Sequence, residues 1–295
     1  MSLKVKIYSA MPSVVKEAMT RVYIGLRARR EAAAARRLAG KGGERLRVVY
    51  VTGFPRSGTT MLKYYFAGHE GLSQSAFSPV GFFDVWDRAA ATAGDEILVD
   101  KSNHYIYSLE PLFEGCARGA RVVVILRDPR DCLVSFAKYE ENREVPRSKR
   151  YWSYWRQQHE ELLRFAREHP YGDCLFLLRY EDLVRYPEEA KAAFLNWIGI
   201  DAAPEALDRR YRNDHPDEGW HDSVHDFREV GMHAFQKWRS EKALPEWCQQ
   251  RLRECGDHTS VSDLMHQLGY GADDVHEPDI DTGKAILFRP RGDHD

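Results

Sequence analysis

The chain has 295 residues, with 43 Lys+Arg against 45 Asp+Glu, 43% hydrophobic and 12% aromatic residues. A chain of this size can bury about 75% of the surface it exposes when unfolded, which excludes a predominantly disordered protein. A formal net charge of −2 also excludes a surface that is as a whole an electrostatic footprint for nucleic acid, so any basicity directed at a ligand has to be local.

Residues 1–46 form a separate segment by pattern. The first 50 residues carry twelve Lys/Arg against three Glu, and Val14, Val15, Ala18, Met19, Val22, Tyr23 and Leu26 recur at helical spacing before an alanine-arginine stretch and a Gly-Lys-Gly-Gly break. This predicts a basic amphipathic helix that either lies on an anionic membrane surface or packs against the domain or a second subunit. The segment has no unbroken apolar run of the length a signal peptide or spanning helix needs, so cytoplasmic residence is expected. Five scattered cysteines without a CxxC (Cys116, Cys132, Cys174, Cys248, Cys255) predict reduced thiols rather than a disulfide framework or a zinc ribbon.

From Arg47 the pattern changes. Apolar, β-branched runs at 47–53, 96–100, 121–128 and 174–180 alternate with helical patterns at 59–67, 79–93, 105–118, 129–139, 148–168 and 187–198. Strands that are apolar throughout are covered on both faces, so a three-layer α/β sandwich with a central parallel sheet is expected. The chain beyond Ile200 reads as helical decoration with an irregular loop over 213–231. The domain is expected to span 47–270, and 271–295, with seven acidic residues to three basic, to be an acidic tail.

Two motifs carry chemistry. The first strand runs into Gly53-Phe54-Pro55-Arg56-Ser57-Gly58-Thr59-Thr60 and then a helix, the arrangement in which backbone N–H groups and a helix N-terminus cradle a phosphate. A Walker loop would place Lys after the second glycine; Thr59 stands there, and the loop's cation is Arg56. The second motif, RVVVILRDPRDCLVSF, puts Arg127 at the carboxyl end of a buried strand, where open α/β sheets bind ligands, with Ser135 two turns into the following helix. Arg is suited to forked phosphate contacts.

Together these motifs resemble the sulfotransferases that use 3′-phosphoadenosine 5′-phosphosulfate (PAPS), and RYEDLVRYPEEAKAAFLNWIGI (179–200) is similar to a stretch of their bacterial members. The resemblance covers about 47–270. It implies that Arg56 and the N–H groups of Ser57, Gly58, Thr59 and Thr60 hold the 5′-phosphosulfate, that Arg127 and Ser135 hold the 3′-phosphate, and that Tyr180 lies near the nucleotide. Arg228 is the counterpart of a late phosphate-binding element. The product would be adenosine 3′,5′-bisphosphate (PAP), with no metal required. DKSNHYIY, just past the 96–100 run, supplies Lys101 as a second cation and His104 as general base, with Glu70 and Asp84 as displaced carboxylate alternatives. The acceptor is expected to be a small molecule, lipid or glycan hydroxyl or amine.

Other signals are weaker. His221 and His225 form an HxxxH near His215, Asp217 and Asp222, but in a loop without cysteine, which reads as a solvated gating loop rather than a metal site. The aromatic helix 148–168 reads as core. The rival functions are a Mg-dependent small-molecule kinase using Asp100 as a Walker B carboxylate, and a catalytically silent nucleotide-binding scaffold.

Overall fold

A computed structural model describes residues 47–74, 97–101, 115–139, 150–202, 210–211, 228–232, 235–240, 244–255, 258–271 and 274–291. His104, Asp84, the HxxxH histidines and the segment 1–46, expected to form a basic helix, lie outside these residues.

Six parallel strands form the central sheet: β1 (Val48–Gly53), β2 (Leu72–Gln74), β3 (Ile97–Lys101), β4 (Arg121–Leu126), β5 (Leu175–Arg179) and β8 (Ile286–Leu287), in the spatial order β2-β3-β1-β4-β5-β8. β1 is central because all six of its residues are buried, as an apolar β-branched run requires when both faces are covered. Two short strands, β6 (Arg210–Tyr211) and β7 (Arg228–Glu229), pair antiparallel away from this sheet, where the sequence predicted helical decoration and, over 213–231, an irregular loop.

Strand alternation sends side chains into two cores. On one face Val49, Val51, Val123, Ile125 and Phe176 pack with helix α1 (Thr59–Ala67) and with α5 (Pro187–Ile198), whose Phe194 stacks on Phe66 at 3.7 Å between centroids. On the other, Tyr50, Val122, Val124 and Leu177 pack with α2 (Pro129–Tyr139), α3 (Tyr151–Glu168), α7 (Glu246–Cys255) and α8 (Thr259–Gln267). Each large apolar side chain so buried contributes about 1.5–3 kcal/mol. Two short helices, α4 (Tyr180–Arg185) and α6 (Lys237–Ser240), complete the layers.

Local chemistry sets the helix ends. Asp128 accepts the Arg130 N–H at 2.8 Å and Pro129 takes the first helical position of α2, a capped start with proline where its missing N–H costs nothing. α5 likewise opens on Pro187 and closes on Gly199, whose φ of 84° lets two N–H groups fold back onto the last carbonyls.

Two sequence expectations are corrected. Cys116 and Cys174 form a disulfide, with Cα atoms 5.9 Å apart. The residues lie 58 positions apart, but the parallel register sets Val122 opposite Leu175, so the segments entering β4 and β5 meet at the sheet's amino edge. Cys132, Cys248 and Cys255 are free and buried. In addition, 271–295 is not a detached tail, because Ile286 and Leu287 pair with Phe176 and Leu177 as the edge strand, and the Phe288 N–H donates to the Leu177 carbonyl. Among the described residues no helix is long and apolar enough to cross a membrane.

Candidate functional site

The connections leaving β1 and β4 part company. After β1 the chain passes through α1 on one face toward β2; after β4 it passes through α2 and α3 on the other face toward β5. A crevice therefore opens at the carboxyl ends between these neighbouring strands, where ligands bind in open α/β sheets. The loop 53–58 and Arg127 sit on its two sides.

The glycine loop is built to tight tolerances. A Cβ on Gly53 would lie 2.5 Å from the Ile125 carbonyl oxygen and 2.6 Å from Ser57 Oγ, and one on Gly58 would lie 2.9 Å from the Tyr180 ring, at a φ of +105°. Gly58 immediately precedes α1, which has no side-chain cap and no acidic residue in its first turn, leaving the dipole end uncompensated by side chains. The Ser57 N–H donates to the Phe54 carbonyl at 3.0 Å, so it closes the turn. Of the four N–H groups expected to line an anion site, this one is directed elsewhere. Its hydroxyl is fully buried and has no hydrogen-bond partner. Replacing Gly53 by Ala is expected to destabilise the fold by about 1–3 kcal/mol through overpacking, whereas Gly231→Ala, with nothing within 4 Å of the added carbon, should stay within about 0.5 kcal/mol. Thermal melts of the two variants check this contrast; equal melting temperatures would refute the tight loop.

Arg127 closes the crevice. Its Nη1 donates to the Arg56 carbonyl at 2.9 Å, and its guanidinium lies 4.0 Å from the centroid of the Tyr180 ring. Tyr180 is thus buried against both Gly58 and Arg127. The Arg56 side chain crosses in the opposite sense, its Nε donating to Ser135 Oγ at 3.1 Å. Arg56 holds a φ of 72°, a left-handed conformation that costs a non-glycine residue about 1–2 kcal/mol and persists where surrounding contacts impose it. Arg56, Ser57, Gly58, Thr59, Thr60, Arg127, Ser135 and Tyr180 are therefore brought together by the segments that follow β1, β4 and β5 and the helices they lead into.

Two buried carboxylates that the sequence reading passed over, Asp131 and Glu181, act on Arg127. Asp131 approaches it at 4.0 Å and accepts the Trp238 N–H at 3.0 Å; burial raises its carboxyl to about 6 against the pull of Arg127. Glu181 accepts the Asp128 N–H at 3.1 Å, and burial raises it to about 7. Asp128 itself grips Arg130, whose Nη2 reaches both Asp128 Oδ2 and the Gly271 carbonyl at 2.7 Å. Arg179 and Asp182 form a second forked pair, at 2.6 and 2.8 Å. The signal was present in RDPRD and RYED, where acids alternate with arginines at two strand ends.

The remaining candidates divide. Lys101 ends β3 beside Val51 of β1, buried and on the α1 side of the sheet. Glu70 is exposed past the last turn of α1, a nine-residue helix about 14 Å long that leads away from the crevice; this removes it as a base. Arg228 pairs through its backbone with Tyr211 in the small ribbon. Asp100 is fully buried inside β3, one residue before its end.

Residues 82–204 match the model of a sulfotransferase family. The fold is similar to that of a sulfotransferase domain from the Synechococcus PCC 7002 olefin synthase, with a TM-score of 0.51 at 21% identity, covering 72% of this chain and 94% of that one. It is also similar to a sulfotransferase domain from the curacin biosynthetic pathway, at 0.50 and 18% identity, covering 70% and 96%. No curated protein sequence matches.

Proposed function

We propose that this chain belongs to a sulfotransferase family, as the match over 82–204 and the shared fold support, and that it transfers the sulfuryl group of PAPS to the hydroxyl or amine of a small acceptor and releases PAP. The observation that carries the reading is the 2.9 Å bond from Arg127 to the Arg56 carbonyl: it sets a buried guanidinium directly against a glycine loop, so one nucleotide phosphorylated at both ends can span them. Thr59 at the Walker lysine position speaks against a triphosphate.

In this reading the N–H groups of Gly58, Thr59 and Thr60 and the Arg56 guanidinium hold the 5′-phosphosulfate, while Arg127 and Ser135 hold the 3′-phosphate. Arg56 Nε donates to Ser135 Oγ, so the two side chains assigned to the two phosphates already lie within hydrogen-bond reach of each other. The bond from sulfur to the bridging phosphate oxygen breaks as the bond from sulfur to the acceptor oxygen or nitrogen forms. Charge collects on the bridging oxygen, where Arg56 and Lys101 stabilise it in place of a metal. The acceptor's proton passes to His104, a group suited to proton transfer near neutrality. Arg228 is a further cation offered to the nucleotide.

Calorimetric titration with PAP and with ADP, each without metal, tests the reading. PAP should bind at least about 100-fold more tightly, since the 3′-phosphate adds charge-assisted hydrogen bonds. Equal affinities would refute it, and ADP binding that strengthens with Mg²⁺ would favour a kinase. His104→Ala should bind PAP normally and lose about 10²- to 10⁴-fold in turnover; unchanged turnover would remove His104 as the base.

A further inference from the structure

The aromatic helix α3 is more than core. Trp155, Gln158 and His159 occupy its buried face, at 0%, 4% and 1% exposure, and four of their polar atoms have no hydrogen-bond partner: Trp155 Nε1, Gln158 Nε2, Gln158 Oε1 and His159 Nε2. Buried polar atoms almost always find partners, so four on two consecutive turns of one helix mark a place where a partner is supplied from outside the chain.

The atoms specify that partner. A carbonyl can only accept, so His159 Nδ1 donates to the Trp155 carbonyl at 2.8 Å, leaving Nε2 as an acceptor. Burial lowers the imidazole to about 4, which keeps it neutral, and no charged group contributes to that shift. The unmet set is therefore two acceptors, His159 Nε2 and Gln158 Oε1, and two donor groups, the Trp155 indole N–H and the Gln158 amide. A primary carboxamide carries two N–H donors and a carbonyl with two lone pairs, which matches the four in number and kind. A hydroxyl has one donor for two acceptors. A carboxylate has none, and would be buried beside a lone pair without a counter-charge.

The position ties this face to the crevice. The His159 ring is 6.1 Å from that of Phe54, and Phe54 meets Tyr151 edge-on at 5.7 Å. Phe54 directly follows Gly53, so His159, with the Trp155 ring 4.4 Å from its own, lies beneath the glycine loop on the α3 side.

We propose that Trp155, Gln158 and His159 form a subsite for an uncharged carboxamide carried by an acceptor with an aromatic or apolar body. The proposal rests on the transfer reading above and adds to it a part of the acceptor that does not react.

Three probes sharing one phenol ring test it on the full chain: 4-hydroxybenzamide, methyl 4-hydroxybenzoate and 4-hydroxybenzoate. With PAPS as donor, kcat/KM for the amide should exceed that for the ester and the acid by at least about 10-fold. Gln158→Met should erase this advantage while PAP affinity, by calorimetry, stays within about twofold. Trp155→Phe keeps the ring and removes the N–H; it should show the same loss, and it stands in if the first variant fails to fold. Equal kcat/KM for amide and ester, or an amide advantage that survives in the variants, overturns the proposal and leaves the cluster a site for internal water only. If PAP binds no better than ADP, the transfer reading fails instead; titration with 4-hydroxybenzamide alone then decides the subsite by whether binding depends on Gln158.

Discussion

Replacing Arg127 by Ala should abolish the preference for PAP over ADP, with a loss in PAP affinity of about 100-fold or more. The side chain is buried, and three observations make it hard to replace: its Nη1 holds the Arg56 carbonyl at 2.9 Å, its plane covers Tyr180 at 4.0 Å, and Asp131 faces it at 4.0 Å. A charge-assisted contact to phosphate is worth about 1.5–3 kcal/mol, and the loop that Arg127 braces would loosen at the other end of the nucleotide as well. Ser135→Ala removes a single uncharged hydroxyl, the acceptor for Arg56 Nε and the proposed second contact to the 3′-phosphate, so its cost should be smaller, about 10-fold. Calorimetry with both nucleotides on both variants separates these effects. An Arg127→Ala protein that folds and still prefers PAP would show that the 3′-phosphate is read elsewhere.

The second large effect is on stability. Burial raises the Glu181 carboxyl from an ordinary 4.5 to about 7, so the folded protein keeps a proton that the unfolded chain releases above pH 4.5. Stability from this group therefore falls as pH rises between about 4.5 and 7, and the penalty is complete above that range. At 1.36 kcal/mol per pKa unit, a shift of this size is on the order of 3 kcal/mol. Asp131 acts in the same sense up to about pH 6, and His159, lowered to about 4, acts in the opposite sense up to 6.5. Glu181→Gln keeps an oxygen to accept the Asp128 N–H and cannot ionise. It should match the wild type near pH 4.5 and exceed it by up to about 3 kcal/mol at pH 8. Urea melts at the two pH values measure this, and parallel behaviour of the two proteins would contradict a buried, proton-holding Glu181.

How much of this was legible in the sequence depended on whether the physics was local. β1 and β4 announce themselves because strands covered on both faces must be apolar throughout, and α2 and α5 because proline opens them and Gly199 closes one. β2 and β8 were not foreseen, since strands of three and two residues at a sheet's edges carry no run to detect. Long-range pairings were hidden for the same reason: nothing near Cys116 points to Cys174, and nothing near Ser135 points to Arg56. The loop motif pointed to the candidate site, but not to the Ser57 N–H being turned onto Phe54. One signal was present but unread: Gln158 and His159 follow Trp155 at three and four residues, so helical spacing alone puts polar groups on the apolar face.

The edge strand β8 gives the chain's far end a part in the birth of the protein. During synthesis, β5 emerges more than a hundred residues before Ile286 and Leu287 arrive to cover its open side. Until then the nascent sheet presents an unpaired apolar border, a template for joining with other unfinished chains. Ribosome-bound intermediates halted short of residue 286 should therefore need chaperone cover that the completed chain does not.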